Sequence, residues 1–505
     1  MPDLLSTAAS AHPLAAPLEG FWQLVHGPLA HWASVRPDHI ALENETQSLT
    51  FAELHAQVIE RSAAIVREQA PAMLLLNGER GTLASIVEFL AVIHSGRCGA
   101  VADPDWPAAV HERMAEWMPS APSTLQAATD KSPFYTGFTS GSTGLPKGFM
   151  RHHRSWTESF RVGLEDFGPV AAERMLSPGR MSHSLFLFGV MQALWCGSGA
   201  IVQERFSALR CLHTLRDADV PCLVAVPSQL LLMLQWAAQR ALPPIEGVRF
   251  IMISGARWMR SQTPALQALF PNARIVEFYG ASEASFIAWM DADADTPPQA
   301  VGRPFSNVQL SIRPVQTQDH SDEDPTTETD TDSGVIYIRS PMLFIDYVGE
   351  NIDRTGVLRD GEWLSVRDMG HVDASGLLHL AGRQSRMIVT RGKNLFPEEL
   401  ENLLQEHPAI QRASVLGVPD VLRGMQLHAV IQWREAAIHN AALTQWLRER
   451  TESFKLPRQW WMAREWPQTT SGKTDHSKLA QAVRHALSED ASSTHNGVTV
   501  TPWNG

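Results

Sequence analysis

One stretch of the chain stands out, Thr139-Ser140-Gly141-Ser142-Thr143-Gly144-Leu145-Pro146-Lys147-Gly148, which follows the strand-like run Phe134-Tyr135-Thr136. Its three glycines let the backbone approach a polyphosphate closely, its four hydroxyls can donate to phosphate oxygens, and its lysine adds a compact positive charge. The spacing of glycine and lysine fails the common P-loop pattern, G-x-x-x-x-G-K-S/T. A flexible Ser/Gly linker is the alternative, but it would not require the lysine. The stretch therefore predicts a phosphate-binding loop formed by Thr139, Ser140, Gly141, Ser142, Thr143, Gly144 and Lys147.

Short apolar runs elsewhere in the chain predict the strands of an α/β fold. The runs at 73–76, 222–226 and 250–253 each lie beside a helical stretch or a turn rich in Gly, Pro or Ser. Such alternation is typical of a mostly parallel sheet, whose ligands bind at the loops that follow the strands. Residues 52–67 carry apolar side chains at helical spacing, which predicts a helix.

The length of the chain predicts more than one domain. At 505 residues it exceeds what a single hydrophobic core usually supports. We expect a large N-terminal domain of several subdomains over residues 1–382 and a small α+β domain over residues 383–505. Residues 317–333 are acidic and polar, which predicts a solvated linker. The polar composition of residues 488–505 predicts a disordered tail.

The composition argues against several classes of protein. With 42 basic and 54 acidic residues the net charge is −12, which disfavours a nucleic-acid backbone as the partner. The sequence shows neither a signal-peptide pattern nor an apolar run of the ~20 residues that a membrane span requires, so we expect a cytoplasmic protein. The four cysteines lack CxxC spacing and are expected to be buried free thiols: Cys98, Cys196, Cys211 and Cys222.

The loop at 139–148 resembles the signature of the adenylate-forming superfamily, which contains acyl-CoA synthetases, luciferases and the adenylation domains of peptide synthetases. Further motifs follow in the family's order and cover nearly the whole chain, from Phe51 to Leu479. The resemblance implies an α/β enzyme with a large N-terminal adenylate-forming domain and a small mobile C-terminal domain. It also implies that ATP and Mg²⁺ are used to couple a carboxylic acid to AMP before transfer to a thiol.

The second motif, at 279–283, reads Tyr-Gly-Ala-Ser-Glu and is similar to the family's Tyr-Gly-x-Thr-Glu, with serine in place of the usual threonine. A tyrosine can stack on adenine, a hydroxyl can bind a phosphate oxygen, and a carboxylate suits the hard Mg²⁺ ion. The resemblance implies that Glu283 holds the metal, and that the nucleotide lies against Tyr279, Gly280 and Ser282. Gly255 and Ala256 end the run at 250–253, where the family brings backbone against the nucleotide; a plain strand-ending turn is an equal alternative.

Three charged residues match family motifs nearer the C-terminus. Asp368 resembles the aspartate that accepts hydrogen bonds from both ribose hydroxyls, and Arg383 resembles the arginine near that ribose. If Asp368 or Arg383 occurred without the other motifs, it would be interpreted as an ordinary surface charge. Lys473 looks like the lysine that bridges the acid's carboxylate and the α-phosphate during adenylation. A Walker A lysine is the alternative, but Pro467 stands where its first glycine should be.

The resemblance also places a hinge at Ser385, where relatives usually carry aspartate or lysine, and Arg386 replaces a frequently acidic residue. The loop at 390–394 resembles the segment that approaches pantetheine, with Gly392 allowing close backbone passage. Because only a polar tail follows Leu479, we expect CoA as the acceptor; a separate carrier protein is the alternative, and a non-catalytic relative a more remote one. An enzyme is favoured because the chain keeps four charged residues of the family: Lys147, Glu283, Asp368 and Lys473.

The segment after the phosphate loop bears on the acid. Amino-acid-activating relatives usually carry an aspartate there, whereas residues 181–189 contain no acidic side chain. An ammonium group desolvated without a carboxylate would cost several kcal/mol, so we predict a substrate that lacks an α-amino group. Fatty or other aliphatic acids come first and aromatic acids second. The side chains expected near the acid, each of which could equally be core, are His183, Phe186 and Phe188.

Overall fold

The computed structural model describes residues 20–78, 81–124, 126–140, 146–297, 299–314, 333–349, 353–390, 393–420, 424–435, 437–469, 473–489 and 493–503. These residues divide into two compact units. Unit 1 contains the described residues up to Asp295 together with Pro304–Val308 and Ser340–Arg354; unit 2 contains the others. The predicted domain boundary at 382/383 falls inside unit 2 and stays a prediction. None of the helices in the described part of the chain has the length and apolar character that a bilayer span requires.

Helices and strands alternate along most of unit 1, as the apolar runs predict. The helices are α1 (Leu29–Val35), α2 (Phe51–Arg67), α3 (Thr82–His94), α4 (Ala108–Glu116), α5 (His153–Phe167), α6 (Ser184–Cys196), α7 (Ala208–Asp217), α8 (Pro227–Gln239), α9 (Thr263–Leu269), α10 (Pro397–Glu406), α11 (Asn440–Arg448) and α12 (His476–Glu489). The strands are β1 (Ile40–Glu43), β2 (Ser48–Thr50), β3 (Met73–Leu76), β4 (Cys98–Val101), β5 (Pro133–Ser140), β6 (Pro146–His152), β7 (Met175–Ser177), β8 (Ala200–Val202), β9 (Cys222–Ala225), β10 (Phe250–Ile253), β11 (Arg274–Ala281), β12 (Ser285–Asp291), β13 (Ala300–Pro304), β14 (Gln309–Arg313), β15 (Gly334–Arg339), β16 (Asp346–Tyr347), β17 (Leu358–Asp360), β18 (Trp363–Ser365), β19 (Asp368–Val372), β20 (Leu378–Arg383), β21 (Ile388–Thr390), β22 (Lys393–Leu395), β23 (Ile410–Asp420), β24 (Gly424–Trp433), β25 (Gln459–Ala463), β26 (Ser493–His495) and β27 (Val498–Pro502).

The helix predicted at 52–67 is α2, and its first turn explains where it begins. The Thr50 hydroxyl accepts a hydrogen bond from the Glu53 amide at 3.2 Å, and the Glu53 carboxylate accepts one from the Thr50 amide at 2.8 Å. This reciprocal capping box satisfies two amides that a helix start leaves without partners. The helix then buries one face, formed by Phe51, Leu54, Val58, Ser62 and Ile65.

Unit 1 contains the mostly parallel sheet that the sequence predicts. Parallel pairs join β1 to β8, β8 to β7, β7 to β9, β9 to β10 and β10 to β11. Strands β9 and β10 are buried at every residue, which explains their continuous apolar runs. A second sheet has the order β16-β6-β5-β4-β3. Because β10 and β11 run in parallel, the segments that follow them, at 254–256 and 282–284, lie at the same edge of the sheet.

Unit 2 contains an antiparallel group of strands in the order β17-β18-β15-β19-β20-β13 and a separate sheet in the order β23-β24-β25-β27-β26. Strands β19 and β20 form an antiparallel hairpin. The four cysteines, all in unit 1, are buried free thiols as expected.

The prediction of a disordered tail at 488–505 is wrong for the residues that the structure describes. Strand β27 pairs with β25, and the Trp503 amide donates to the Trp460 carbonyl at 2.9 Å. The side chains of Val498, Val500 and Trp503 are buried. The polar composition conceals the alternation Val-Thr-Val-Thr at 498–501, which buries one face of a strand.

Three histidines meet inside unit 1. The ring of His26 lies 5.4 Å from that of His94 and 5.3 Å from that of His153, centroid to centroid. The Val25 amide donates to Nδ1 of His153 at 3.1 Å, and the Ser62 hydroxyl lies 3.0 Å from Nδ1 of His94. Burial, and to a smaller extent the neighbouring His94 imidazole, lowers the pKa of His26 to about 3. Burial also lowers the pKa of His94 and His153, so all three side chains are neutral at pH 7.

This cluster predicts acid lability of unit 1. Below pH ~6.5 the unfolded chain binds protons that the folded cluster does not, so the stability present above that pH falls by about 1.4 kcal/mol per pH unit for each strongly shifted histidine. Thermal unfolding measured between pH 7.5 and 5 is expected to shift downward on acidification, and His26→Phe should flatten the dependence. The same change at exposed His213 is the control. An unchanged slope in folded His26→Phe would contradict the prediction.

Candidate active site

The predicted phosphate loop connects two paired strands. Strands β5 and β6 form an antiparallel hairpin in which Thr139 faces Lys147 and Ser140 faces Pro146. The Thr139 hydroxyl donates to the Lys147 carbonyl at 3.5 Å. Four predicted loop residues lie outside the described residues: Gly141, Ser142, Thr143 and Gly144. The hairpin places Thr139 and Lys147 on the two strands that enter and leave this loop.

Lys147 and Glu283 both contact Tyr347. The Lys147 ammonium lies 3.5 Å from the centroid of the Tyr347 ring. The Tyr347 hydroxyl donates to Oε1 of Glu283 at 2.7 Å. Burial lowers the pKa of Lys147, against the opposing influence of Asp353 and Glu283. Burial, together with Glu283, raises the pKa of Tyr347, so the phenol keeps its proton at neutral pH.

Arg151 fixes the backbone that carries these groups. Its guanidinium is buried, and it donates to the Ser282 carbonyl at 2.5 Å and to the Met342 carbonyl. Its Nε also donates to the Ser155 hydroxyl at 3.2 Å. Burial lowers the pKa of Arg151 to about 10, so it remains charged. The Phe344 amide donates to the Glu283 carbonyl at 2.8 Å, which ties the 282–283 turn to the segment before β16.

The nucleotide residues predicted at the ends of β10 and β11 lie at one sheet edge. Gly255 has φ +86°, a left-handed conformation that favours glycine, and Ala256 follows it. Tyr279 and Gly280 lie near the end of β11. A Cβ on Gly280 would come within 2.3 Å of the Ser285 carbonyl oxygen, so this close approach of two backbones requires glycine.

His183 lies beside the first of these turns. It precedes α6, and its Cε1 is 4.0 Å from where a Cβ on Gly255 would be. The ring of Phe186 lies 5.3 Å from that of His183. Phe188 instead packs in an aromatic cluster with Trp156, Phe160 and Phe286. A role for these three residues toward the acid stays a prediction.

Asp368 and Arg383, the predicted ribose residues, form a pair in unit 2. Nε of Arg383 donates to Oδ1 of Asp368 at 3.1 Å across the β19–β20 hairpin. Asp368 is buried, whereas the Arg383 side chain is largely exposed. Arg367, with φ +63°, donates to Oε1 of Gln384 at 3.0 Å, and its carbonyl accepts from the Gln384 amide at 2.9 Å. Arg367 and Gln384, which flank Asp368 and Arg383 in the chain, are therefore hydrogen-bonded to each other.

Lys473 is exposed and lies three residues before the start of α12. The Thr469 amide donates to the Lys473 carbonyl at 2.8 Å, and the Lys473 amide donates to the Thr469 hydroxyl at 3.3 Å. Trp466 Nε1 donates to the hydroxyl of Thr474, the residue after Lys473, at 3.0 Å. Gly392, predicted to allow close passage of pantetheine, lies outside the described residues.

The comparisons with known proteins identify the family. Residues 59–348 match the model described as AMP-binding enzyme, and residues 399–473 match the model of the AMP-binding enzyme C-terminal domain. The chain belongs to the AMP-binding enzyme family. The resemblance to the adenylate-forming superfamily is thereby confirmed. This AMP-binding enzyme is 34% identical over 379 residues to the uncharacterized acyl–CoA ligase YhfT of Bacillus subtilis, and the match covers 74% of each chain. It is 28% identical over 411 residues to a putative long chain fatty acid–CoA ligase, VraA, of Staphylococcus epidermidis, covering 77% of this chain and 83% of that one.

Solved structures confirm the fold of this AMP-binding enzyme. The o-succinylbenzoate CoA synthetase of Bacillus subtilis matches with a TM-score of 0.75 and 21% identity, covering 91% of this chain and 98% of that one. MatB from Rhodopseudomonas palustris matches with a TM-score of 0.73 and 19% identity, covering 91% and 98%. The α/β architecture with a larger N-terminal and a smaller C-terminal part is therefore the one that the sequence predicts.

Glu283 fits the Mg²⁺ that the family implies. The protein usually supplies one or two carboxylates to this ion, and substrate phosphates and water supply the rest. Tyr347 engages Oε1 of Glu283 and so orients the carboxylate of this AMP-binding enzyme. When bound, the ion would neutralise phosphate charge.

Sequence reasoning missed Tyr347 and Arg151. Arg151 follows the phosphate loop on β6, but one arginine in a strand carries no signal of burial. Tyr347 is far from both Lys147 and Glu283 in the chain. Only the pairing of β16 with β6 brings it to them, with Tyr347 opposite Phe149.

Proposed function

We propose that the enzyme couples a carboxylic acid to ATP, forming acyl-AMP and releasing pyrophosphate, and then transfers the acyl group to the thiol of CoA, releasing AMP. One observation carries the first step: Lys147 and Glu283, a cation and a carboxylate suited to Mg²⁺, meet on Tyr347 at the phosphate-loop hairpin. The curated relatives named acyl–CoA ligases support the second step.

Each residue has a separate role in this proposal. Lys147 offsets phosphate charge, and the carboxylate of Glu283 meets the metal. Asp368 accepts from the ribose hydroxyls, which suits a buried carboxylate oriented by Arg383. Lys473 stabilises the charge that develops as the acid's carboxylate attacks the α-phosphorus. The Lys473 side chain is exposed.

The acid is proposed to be a fatty or other aliphatic acid, with an aromatic acid as the second candidate. Residues 181–189 offer no carboxylate to an α-ammonium, and the VraA relatives carry fatty acid in their names. Pyrophosphate release measured over a panel of fatty, aromatic and amino acids tests this choice. We expect the highest kcat/KM for an aliphatic acid. Faster turnover of amino acids would contradict the proposal.

The same assay distinguishes the acceptors. We expect thioester formation with free CoA, since the relatives are named CoA ligases. Transfer to a phosphopantetheinylated carrier protein far faster than to saturating CoA would instead favour a stand-alone adenylation enzyme. Absence of acid-dependent pyrophosphate release across the panel would favour the non-catalytic alternative.

A hinge at Ser385 is proposed to serve the second half-reaction. Ser385 lies in a short 3-10 turn, Gln384–Arg386, directly after β20. Ser385→Pro fixes φ there and is expected to slow thioester formation more than adenylation, because only the change of pose between the steps needs that rotation. Single-turnover rates of the two steps provide the measurement, with Ser385→Ala as the control. Retention of both rates in Ser385→Pro would place the hinge elsewhere.

A further inference from the structure

We propose that Tyr347 is a positioning residue for nucleotide binding: its hydroxyl orients the Glu283 carboxylate for Mg²⁺, and its ring holds the Lys147 ammonium where the phosphates arrive. This inference rests on the function proposed above and extends it to a residue outside the sequence motifs. It predicts that the Tyr347 hydroxyl positions the Glu283 carboxylate, whereas the Tyr347 ring positions the Lys147 ammonium. Substitutions that remove one or both parts of the side chain can therefore separate the two effects.

Backbone pairing fixes the Tyr347 ring in its place. Tyr347 lies opposite Phe149 in the β16–β6 pair, and the Val348 amide donates to the Gly148 carbonyl at 2.9 Å. Tyr347 is 5% exposed, and its ring packs edge-on against that of Phe344, with 5.0 Å between the ring centroids. Because Lys147 is on the same strand as Gly148 and Phe149, the register of this pair sets the ring against its side chain.

The Glu283 carboxylate is held from the same segment. Phe344, three residues before Tyr347, donates its amide to the Glu283 carbonyl. Arg151 donates to the carbonyls of Ser282 and Met342, and so joins the Glu283 turn to the start of that segment. The Tyr347 hydroxyl then donates a hydrogen bond to Oε1 of Glu283. Hydrogen bonds therefore hold both the Tyr347 segment and the Glu283 turn at this contact.

The chemistry of the phenol suits both tasks. It donates one hydrogen bond to Oε1 and leaves Oε2 of Glu283 to meet a cation. The π face of the ring attracts an ammonium, so Lys147 can remain charged at a partly buried position. The hydroxyl thus acts on the metal ligand and the ring acts on the lysine.

Two substitutions separate these contributions. Tyr347→Phe keeps the ring and removes the hydrogen bond, whereas Tyr347→Leu removes both. Tyr337 in unit 2 provides matched controls, since the Arg313 guanidinium lies over its ring, 3.9 Å from the ring centroid. The same two substitutions at Tyr337 also remove a hydroxyl and a cation–π contact.

Binding is measured by calorimetry, with ATP carrying a methylene bridge between its α and β phosphates, over a range of Mg²⁺ concentrations and without acid or CoA. We expect Tyr347→Phe to raise the half-saturating Mg²⁺ concentration about tenfold while metal-free binding is unchanged. We expect Tyr347→Leu to raise it similarly and to weaken metal-free binding several-fold as well. Both Tyr337 variants should match the wild type.

The outcomes separate the inference from the proposed function. If the wild type binds the analogue in a Mg²⁺-dependent manner and folded Tyr347→Phe shows the same Mg²⁺ requirement, the positioning role is overturned. Equal weakening of metal-free binding in Tyr347→Phe and Tyr347→Leu would also overturn it, because the ring would then have no role of its own. A wild type that fails to bind the analogue at all would contradict the proposed function.

Discussion

Lys473→Ala is expected to lower acid-dependent pyrophosphate release at least a hundredfold, while a supplied acyl-adenylate is still converted to thioester. The reason is that Lys473 is proposed to act only where carboxylate and α-phosphate react. Removal of one positioned charge at a transition state costs ~3–4 kcal/mol. Single-turnover measurement of each half-reaction gives the two rates.

Lys478→Ala provides the control for this variant. Lys478 is exposed in the first turns of α12 and pairs with Asp475 at 3.6 Å, so it is close to Lys473 in the chain. Its removal should leave both half-reactions near the wild-type rates, because exposed ion pairs contribute little. An equal loss of both half-reactions in folded Lys473→Ala would refute the division of roles.

Arg386→Met is expected to destabilise the part of unit 2 around α10 by about 3–5 kcal/mol, the usual result of breaking a buried ion pair from one side. The guanidinium donates hydrogen bonds to the carboxylates of Glu398 at 2.9 Å and Glu401 at 2.5 Å. It also donates one to the Val415 carbonyl at 3.3 Å. The Glu401 side chain is 7% exposed. Without Arg386 its carboxylate would be a buried charge without a cation at that contact.

Hydrogen exchange of peptides covering α10 and β23 provides a local measurement, since the Val415 amide donates to Glu401 at 2.7 Å. We expect exchange there to become hundreds-fold faster in Arg386→Met. The double variant Arg386→Met/Glu401→Gln should recover part of the protection from hydrogen exchange, because it also removes the negative charge of Glu401. Arg216→Met, which breaks an exposed pair with Asp217, is the control. Unchanged exchange in Arg386→Met would contradict the prediction.

This pair also explains a departure from the family pattern. The family resemblance implies a frequently acidic residue at this position, where the chain has Arg386. The structure supplies two carboxylates from α10. His476, the first residue of α12, lies 3.5 Å from Glu401, and burial, with Arg386, lowers its pKa to about 3. A neutral imidazole therefore avoids a second cation beside the guanidinium.

Much of the fold could be predicted because its signals are local. The continuous apolar runs at 73–76 and 250–253 appear as β3 and β10, and the helical periodicity at 52–67 appears as α2. Such patterns depend on neighbours a few residues apart, which a sequence displays directly. The polar composition of the tail wrongly predicts disorder, because alternate residues of β27 are buried.

The sequence by itself determined the family, the order of the motifs and the identity of Lys147, Glu283, Asp368 and Lys473 as candidate site residues. Only the tertiary structure decided which side chains hold one another. Tyr347 contacts Lys147 and Glu283 because β16 pairs with β6, and Arg386 contacts Glu401 because α10 packs beside β23. The physical reason is that strand register and burial join residues far apart in the chain, and no local pattern encodes such a contact.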